Sequence, residues 1–305
     1  MKRILISLLC LCLLCGCGAG SEETKSQEGF CFTDDLGRTV TVSEPKRVAV
    51  LLGSFAQVWL LAGGQVVAAP EDAWGDLSLE LPDAVDLGAN NALSLESLLS
   101  ARPDFVLSST NTAQKLEWKN TLESMGVPVA YFNIDDFDDY LRLLEICTDI
   151  TGRKDLYETH GVLVQAQIEA VLSRKPEQSP KVLCMVASAS SLRAKGSTGN
   201  VLGAMLHTMG CVNIADSDSQ ILEDLSIEQI LLEDPEHIFI VQRGDDAAGM
   251  QAYVSRYFAE HPAWQQLTAV KEGRVHYMEK NLCNLKPNHR WGEAYEILEE
   301  ILFHE

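Results

Sequence analysis

Basic residues are scarce in this chain of 305 residues. Lysine and arginine together number 24, against 44 aspartate and glutamate residues, and the formal net charge at pH 7 is −20. A nucleic acid, or a membrane surface rich in anionic lipid headgroups, binds to positively charged protein surfaces. The charge balance therefore excludes nucleic acid as a partner and argues against anionic headgroups.

The chain also lacks an apolar run long enough to span a membrane. The stretch from Ile4 to Cys15 has twelve residues, whereas a membrane-spanning helix needs roughly 20. Because it follows Lys2 and Arg3, it has the form of a secretory signal peptide. It ends in Leu14-Cys15-Gly16-Cys17, which resembles a bacterial lipobox. We predict a signal peptide over residues 1–16 and a lipid on Cys17, which anchors the protein on the extracytoplasmic face of the cell membrane. An ordinary signal peptide with an incidental cysteine is the alternative.

Closely spaced metal ligands are absent from the sequence. Beyond Cys17, five cysteines stand far apart without a CxxC pair, and the seven histidines show no HExxH pattern. This spacing supports neither a structural zinc site nor a site for a free metal ion, so we predict no bound metal. Cys147 and Cys184 lie in apolar helical and strand patterns, where buried free thiols are expected.

The motifs of common enzyme classes are missing as well. The chain has no GxSxG nucleophile elbow and no GxGxxG after its first strand, and Ser54 has no identifiable base. Gly196–Asn200 lacks the GxxxxGK[ST] arrangement that holds nucleotide phosphates. We therefore predict a binding protein without a cofactor rather than an enzyme. The alternative function is that of a surface adhesion or sensory lipoprotein, which would use the same fold as the binding protein.

One pattern occurs twice, at a constant offset of 132 residues. Leu93–Leu107 matches Leu225–Phe239, with identical residues at five positions. In each copy a serine, Ser94 or Ser226, can cap a short helix, and a proline follows after about two turns. The residue before the proline is expected to be extended, and a continuous apolar strand comes next. This order predicts two similar α/β lobes with buried parallel sheets.

Strand and helix signals alternate through both halves of the chain. A β-hairpin over Thr33–Val42 leads into the first half, and from Phe137 to Lys175 apolar residues recur only at helical spacing. We predict an α/β protein of two Rossmann-like lobes with central parallel sheets, joined by a long linking helix, with a ligand cleft between the lobes. The predicted boundaries are a flexible tether over 17–30, a first lobe over 31–152, the linking helix over 153–178 and a second lobe over 179–305.

Several short motifs keep a consistent order and spacing from Phe32 to Phe303: Thr33–Val40, Pro45–Val48, Leu95–Leu99, Arg102–Val106, Gly126–Val129, Leu225–Ile230, Asp234–Glu236, Pro262–Trp264 and Ala269–Val275. Together they resemble the class III solute-binding proteins of ABC importers, and among these the Fe/B12 type, which carries ferric siderophores, haem or cobalamin. The resemblance implies a monomer that captures a small metal chelate and delivers it to a permease dimer powered by a cytoplasmic ATPase. A ferric siderophore is the first choice of ligand, and haem or a corrinoid are the alternatives.

The resemblance also implies docking residues. In this family an acidic residue on each lobe enters arginine pockets of the two permease subunits. Glu96 and Glu228 hold the matching positions and are related by the 132-residue offset. The alternative is that both carboxylates only stabilise the first turns of their helices through the helix dipole.

The family's ligand residues come from loops that follow the strands. In the first lobe these loops contain Ser54, Phe55, Trp74, Asn90 and Asn111. In the second lobe the candidates are mostly basic, and their convergence would form a positive pocket for an anionic solute: Arg193, Lys195, Arg243, Lys286, His289 and Arg290, with Trp291 as an aromatic contact. The alternatives are solvated or acid-paired side chains for the cations, a role in fixing the terminal helix for Arg290, and a core position for Trp291.

Overall fold

The computed structural model describes residues 29–303. The predicted signal peptide, Cys17 and residues 17–28 of the predicted tether lie outside the described residues. Within residues 29–303, no helix is both long and apolar enough to cross a membrane. The chain forms two α/β lobes joined by a long helix, which confirms the predicted fold class.

A β-hairpin opens the first lobe, as predicted. Strand β1 (Phe30–Thr33) pairs antiparallel with β2 (Thr39–Val42), and Gly37 takes a φ of +72° in the connecting turn. The buried carboxylate of Asp34 accepts hydrogen bonds from the backbone N–H groups of Arg38 and Tyr131. Asp34 therefore ties the hairpin to the lobe behind it.

The first lobe contains a five-stranded parallel sheet in the order β5-β4-β3-β6-β7. Strands β3, β6 and β7 are buried along their whole length, which explains why they appear in the sequence as continuous apolar runs. The strands are β3 (Val48–Val50), β4 (Val66–Ala69), β5 (Val85–Asp86), β6 (Phe105–Ser109) and β7 (Val129–Phe132), and the helices are α1 (Gly53–Leu61), α2 (Leu95–Ser100), α3 (Ala113–Ser124) and α4 (Phe137–Thr151), with a 3-10 turn at Glu71–Ala73.

The linking helix begins just after Gly152, whose φ of +71° ends α4. Helix α5 (Lys154–Tyr157) continues through a π-helical turn at Glu158–Val162 into α6 (Leu163–Arg174). Arg174 binds Glu299 of the terminal helix through two hydrogen bonds of 2.8 and 2.6 Å. The helix falls within the predicted segment 153–178, and the domain boundaries themselves stay a prediction.

The second lobe repeats the plan of the first. Its parallel strands follow the order β10-β8-β11-β12, and β9 pairs antiparallel with β8. The strands are β8 (Lys181–Ser188), β9 (Ser191–Lys195), β10 (Val212–Asn213), β11 (His237–Gln242) and β12 (Val275–Met278), and the helices are α7 (Val201–Thr208), α8 (Ser219–Asp224), α9 (Ile227–Glu233), α10 (Ala247–Glu260), α11 (Thr268–Lys271), α12 (Lys280–Cys283) and α13 (Trp291–Phe303), with 3-10 turns at Ile214–Asp216, Pro262–Gln266 and Asn288–Arg290.

The two copies of the sequence repeat occupy equivalent places. The backbone N–H of Asp104 donates to the carbonyl of Arg47 at 2.9 Å, and the N–H of Glu236 donates to the carbonyl of Lys181 at 2.8 Å. Each copy therefore enters its sheet beside the first parallel strand of its own lobe. The repeat predicted this equivalence.

The predicted ends of the repeat helices are partly wrong. The residues before the two prolines, Arg102 and Asp234, have φ of +49° and +43° instead of extended values. A left-handed residue lets a helix C-terminus satisfy its last carbonyls, and the N–H of Asp234 donates to the carbonyl of Ile230 at 2.9 Å. Helix capping thus outweighs the preference of a residue before proline for an extended conformation. At the other end, Ser94 caps its helix with its side chain, whereas Ser226 makes no side-chain cap.

One apolar core runs through both lobes. It joins Phe132 of the first lobe, Ile168 of the linking helix, Phe239 of the second lobe and Trp291 of the terminal helix. Two smaller clusters lie within single lobes, one in the first and one in the second. The lobes are therefore packed against a common interior, which limits how far they can separate.

A buried histidine in the second lobe, His237, makes stability depend on pH. His237 is 4% exposed, its Nδ1 lies 3.1 Å from Nε2 of His276, and burial, together with His276 and Arg274, lowers its pKa to about 4. A histidine that resists protonation when folded stabilises the protein above its unfolded pKa of about 6.5 and loses that contribution as the pH falls towards 4. Between pH 7 and pH 5 we expect this group to remove about 2 kcal/mol from the free energy of unfolding.

Urea denaturation at the two pH values measures this effect. A His237→Phe variant keeps a ring against Phe239 and cannot titrate, so its stability should fall less between pH 7 and pH 5 than that of the unaltered protein. Equal losses in both proteins would contradict the assignment to His237.

Candidate functional site

A cavity of about 650 Å³ lies between the two lobes. Its first-lobe wall follows strand β4, and its second-lobe wall includes Gln242, the last residue of β11. Ligand sites of α/β proteins occur at the carboxyl ends of parallel strands and between domains. The residues that line the cavity are Glu71, Asp72, Gly75, Asp76, Gln242, Asp245, Ala247 and Lys280.

Lys280 bridges the two lobes inside this cavity. Its Nζ lies 2.8 Å from Oδ1 of Asp76 in the first lobe and 2.6 Å from Oδ1 of Asp245 in the second. Burial lowers the pKa of Lys280, but the hydrogen bonds to Asp245 and Asp76 outweigh it, so the pKa is raised overall and the side chain stays charged. The amide of Asn281 adds a hydrogen bond of 3.0 Å to the carbonyl of Asp76.

Asp72 lies in the 3-10 turn Glu71–Ala73 and contacts Gly53, the first residue of α1. A side chain at Gly53 would place its Cβ 2.7 Å from Oδ1 of Asp72 and 2.9 Å from the backbone nitrogen of Ala73, so only glycine fits there. The side-chain amide of Asn90 donates to Oδ2 of Asp72 at 2.5 Å, and burial raises the pKa of this carboxyl. Its Oδ1 is buried and has no hydrogen-bond partner among the described residues.

Behind this wall lies a buried lysine. Lys115 is 1% exposed, and its Nζ donates to Oγ of Ser109 at 3.3 Å. Burial lowers its pKa to about 8, while the carboxylate of Asp72 acts in the opposite direction. The hydroxyl of Ser109 in turn donates to Oδ1 of Asn111 at 2.5 Å. A polar network thus supports the first-lobe wall from within.

The structure separates the first-lobe candidates. Phe55 is 1% exposed in the shared core and Ser54 is 5% exposed, and neither lines the cavity, so the structure does not place them where a ligand in the cavity would touch them. Both lie in the first turn of α1, which turns inward from the strand. Trp74 is half-buried beside the cavity, Asn90 holds Asp72, and Asn111 is exposed. These three stay candidates.

Four second-lobe candidates are engaged elsewhere, although they were predicted to bind ligand. Arg290 binds Glu293 through its Nε at 2.7 Å and Nη2 at 2.8 Å, which fixes the start of the terminal helix. Lys286 is largely buried and lies 3.9 Å from Asp135 of the first lobe. The ring of His289 packs edge-on against that of His160, and Trp291 is fully buried in the core. Local acid partners and core packing account for these positions.

The remaining basic candidates lie outside the cavity wall. Arg193 and Lys195 belong to strand β9, not to the predicted loop, because the alternate residues Leu192 and Ala194 are buried in the second-lobe core. With Arg243, which follows β11, they are exposed and form no ion pair with another described residue. The predicted convergence of six basic side chains is therefore not found. The cavity wall is acidic, with four carboxylates and one lysine.

Sequence reasoning missed the carboxylates of this wall. The run Glu71-Asp72-Ala73-Trp74-Gly75-Asp76 directly follows a strand, and its three acids were a visible signal for a polar wall. Lys280 carried no such signal, since its partner Asp76 is 204 residues away in the chain.

Comparison with known proteins assigns the family. The family described as "Periplasmic binding protein" matches residues 48–282, more than half of the chain. The chain belongs to the periplasmic binding protein family. Proteins of this family are non-enzymatic solute-binding components of transport systems.

Several relatives of this periplasmic binding protein are known. The lipoprotein YhfQ of Bacillus subtilis (strain 168), which its name assigns to the substrate-binding proteins of ABC transporters, is 22% identical over 99% of this chain and 97% of its own. Staphylococcus aureus SirA, solved with staphyloferrin B, is 21% identical with a TM-score of 0.69 and covers 90% of this chain and 98% of its own. S. aureus IsdE, solved with heme, is 16% identical with a TM-score of 0.69 and covers 84% and 98%. The two solved structures share the fold of this chain.

The two predicted docking residues of this periplasmic binding protein lie on equivalent helices. Glu96 is in the first turn of α2 and Glu228 in the first turn of α9, and both side chains are exposed. Exposure leaves both carboxylates available to a partner, and neither forms an ion pair with a described residue. Their docking role stays a prediction.

Proposed function

We propose that this chain captures a ferric siderophore between its lobes and delivers it to an ABC importer in the cell membrane. The observation that carries the proposal is the cavity of about 650 Å³ at the carboxyl ends of the strands, with walls from both lobes. Its size falls in the range of about 300–1,000 Å³ that small-molecule sites usually have.

An iron chelate is favoured by the relatives and by the placement of histidine. SirA was solved with staphyloferrin B and IsdE with heme, and each ligand is a property of that protein. In this chain no histidine is among the residues that line the cavity, and this includes His289, the histidine among the predicted ligand-binding residues. A siderophore, which brings its own iron ligands, therefore fits the wall better than haem. Haem and a corrinoid remain the alternatives.

Anchoring and docking belong to the same proposal. The lipid on Cys17 and the tether that follows hold the protein at the extracytoplasmic face of the membrane. Glu96 and Glu228 then meet cationic pockets on the two permease subunits, one for each lobe. The permease, with its cytoplasmic ATPase, takes the chelate from the cleft. The protein acts as a monomer and does no chemistry on its ligand.

Fluorescence titration tests the ligand class. The purified protein is titrated with ferric hydroxamate, ferric catecholate and ferric citrate complexes, with hemin and with cyanocobalamin. We expect saturable binding of a ferric siderophore, with a fluorescence change that comes from half-buried Trp74 beside the cavity. A Trp74→Phe variant should lose most of that change while calorimetry still detects binding. Saturable binding of hemin or cyanocobalamin alone would replace the siderophore by an alternative ligand, and failure of every compound would contradict the proposal.

A further inference from the structure

The cavity wall has a strongly negative charge. Of its eight residues, Glu71, Asp72, Asp76 and Asp245 are acidic and Lys280 alone is basic. The acids come from both lobes, so a molecule held between the lobes is surrounded by carboxylates. The position of the cavity between the lobes defines the ligand site, and the carboxylates of its wall determine which ligand charge is favoured. A concave wall with one sign of charge attracts the opposite charge and repels its own.

The carboxylates are not all neutralised by the protein. Lys280 binds Asp76 and Asp245 at 2.8 and 2.6 Å, which occupies one oxygen of each. Glu71 is exposed and forms no ion pair with a described residue. Asp72 accepts a hydrogen bond from the side-chain amide of Asn90 at 2.5 Å through Oδ2, and its Oδ1 is buried against Gly53. Glu71 is therefore the exposed acceptor of the cavity wall without an ion-pair partner in the described part of the chain, whereas Asp72 already accepts a hydrogen bond from Asn90.

The basic side chains that could reverse this charge are placed elsewhere. Lys286 and Arg290 are paired with Asp135, Glu279 and Glu293. Arg193, Lys195 and Arg243 are exposed and do not line the cavity. A ligand inside the cavity thus meets the carboxylates before any of these cations.

We propose that the cleft selects ferric chelates by charge, taking positively charged complexes in preference to negatively charged ones, with the exposed carboxylate of Glu71 receiving the positive or hydrogen-bond-donating part of the ligand. The inference rests on the proposed function and names the chemical class of its ligand. The same wall disfavours a carboxylate-rich complex, because each ligand carboxylate would lie against the carboxylates of the wall.

Calorimetric titration with chelates of different charge tests the proposal. The probes are ferrioxamine B, which is positively charged because its free amine is protonated, the uncharged ferrichrome, and the negatively charged ferric enterobactin and ferric citrate. We expect ferrioxamine B to bind about tenfold more tightly than either anionic complex at low ionic strength, and this preference to shrink as salt is added.

Two variants separate the cavity wall from the nearby surface. Glu71→Gln should weaken binding of ferrioxamine B by about two- to fivefold, because it removes one exposed charge of the wall. Arg243→Gln is the matched control, since Arg243 is exposed, follows Gln242 in the chain and does not line the cavity. This variant should leave the affinities for ferrioxamine B and for the anionic complexes unchanged.

The outcomes distinguish this inference from the proposed function. If ferric enterobactin or ferric citrate binds as tightly as ferrioxamine B, the charge inference is overturned while the iron-chelate function stands. A loss of anionic-chelate binding in Arg243→Gln would also overturn it, because the outer cations would then select the ligand. If no ferric complex of any charge binds, the proposed function itself fails.

Discussion

Replacing Trp291 by alanine is expected to lower the free energy of unfolding by about 3–5 kcal/mol, the usual cost of truncating a buried tryptophan. The side chain is fully buried at the start of α13, and its ring packs edge-on against Phe137 of α4 with centroids 6.2 Å apart. Because α13 also packs against α6, the resulting cavity would open where the lobes and the linking helix meet. Urea denaturation of the two proteins measures the loss.

Two further variants make this result specific. Trp291→Phe keeps most of the apolar volume and should cost much less than the alanine variant. Trp74→Ala removes an indole that is only half-buried, so its stability loss should be well below that of Trp291→Ala. A Trp291→Ala protein that unfolds like the unaltered chain but no longer binds its solute would restore the ligand role predicted from the sequence.

Removing both Glu96 and Glu228 is expected to reduce solute uptake by more than about tenfold while the solute dissociation constant stays unchanged. Hydrogen bonds to a charged group contribute about 1.5–3 kcal/mol each, and 1.4 kcal/mol corresponds to a factor of ten. Both carboxylates are exposed on short helices, and neither lines the cavity between the lobes. Uptake by cells that carry the Glu96→Ala, Glu228→Ala double variant measures the effect, and calorimetry on the purified variant measures solute affinity.

The single variants and one control complete this experiment. Each single alanine variant should keep part of the uptake, because the other lobe can still dock. Glu300→Ala removes an exposed carboxylate from α13, the helix that packs on the linking helix, and should transport like the unaltered protein. Unchanged uptake in the double variant would refute docking through these residues. A weakened solute affinity would instead assign them to the binding site.

Most of the fold could be predicted because its signals are local. Buried parallel strands give continuous apolar runs, and the run Val129–Phe132 forms strand β7 in the structure. The repeat predicted that the lobes are equivalent, since the same helix, proline and strand recur at one offset. Strand β9 was missed because its alternation of Leu192 and Ala194 with charged residues is short and lies next to serine and glycine.

The candidate site was harder to predict because distant residues create its charge. Arg290 is three residues from Glu293, and this helical spacing was a visible sign that the arginine is paired rather than free. The bridge from Lys280 to Asp76 has no such sign, since packing of the two lobes alone brings these residues together. The basic loop residues predicted from the sequence therefore do not line the cavity, whose wall is acidic.

The shared core has a further consequence for how the chain folds. Although the sequence contains two copies of one pattern, the core that includes Phe132, Ile168 and Phe239 belongs to neither half alone. A fragment cut at the linking helix would expose this apolar surface to water on both pieces. Because each half completes the apolar interior of the other, we expect either half alone to be much less stable than it is within the whole chain.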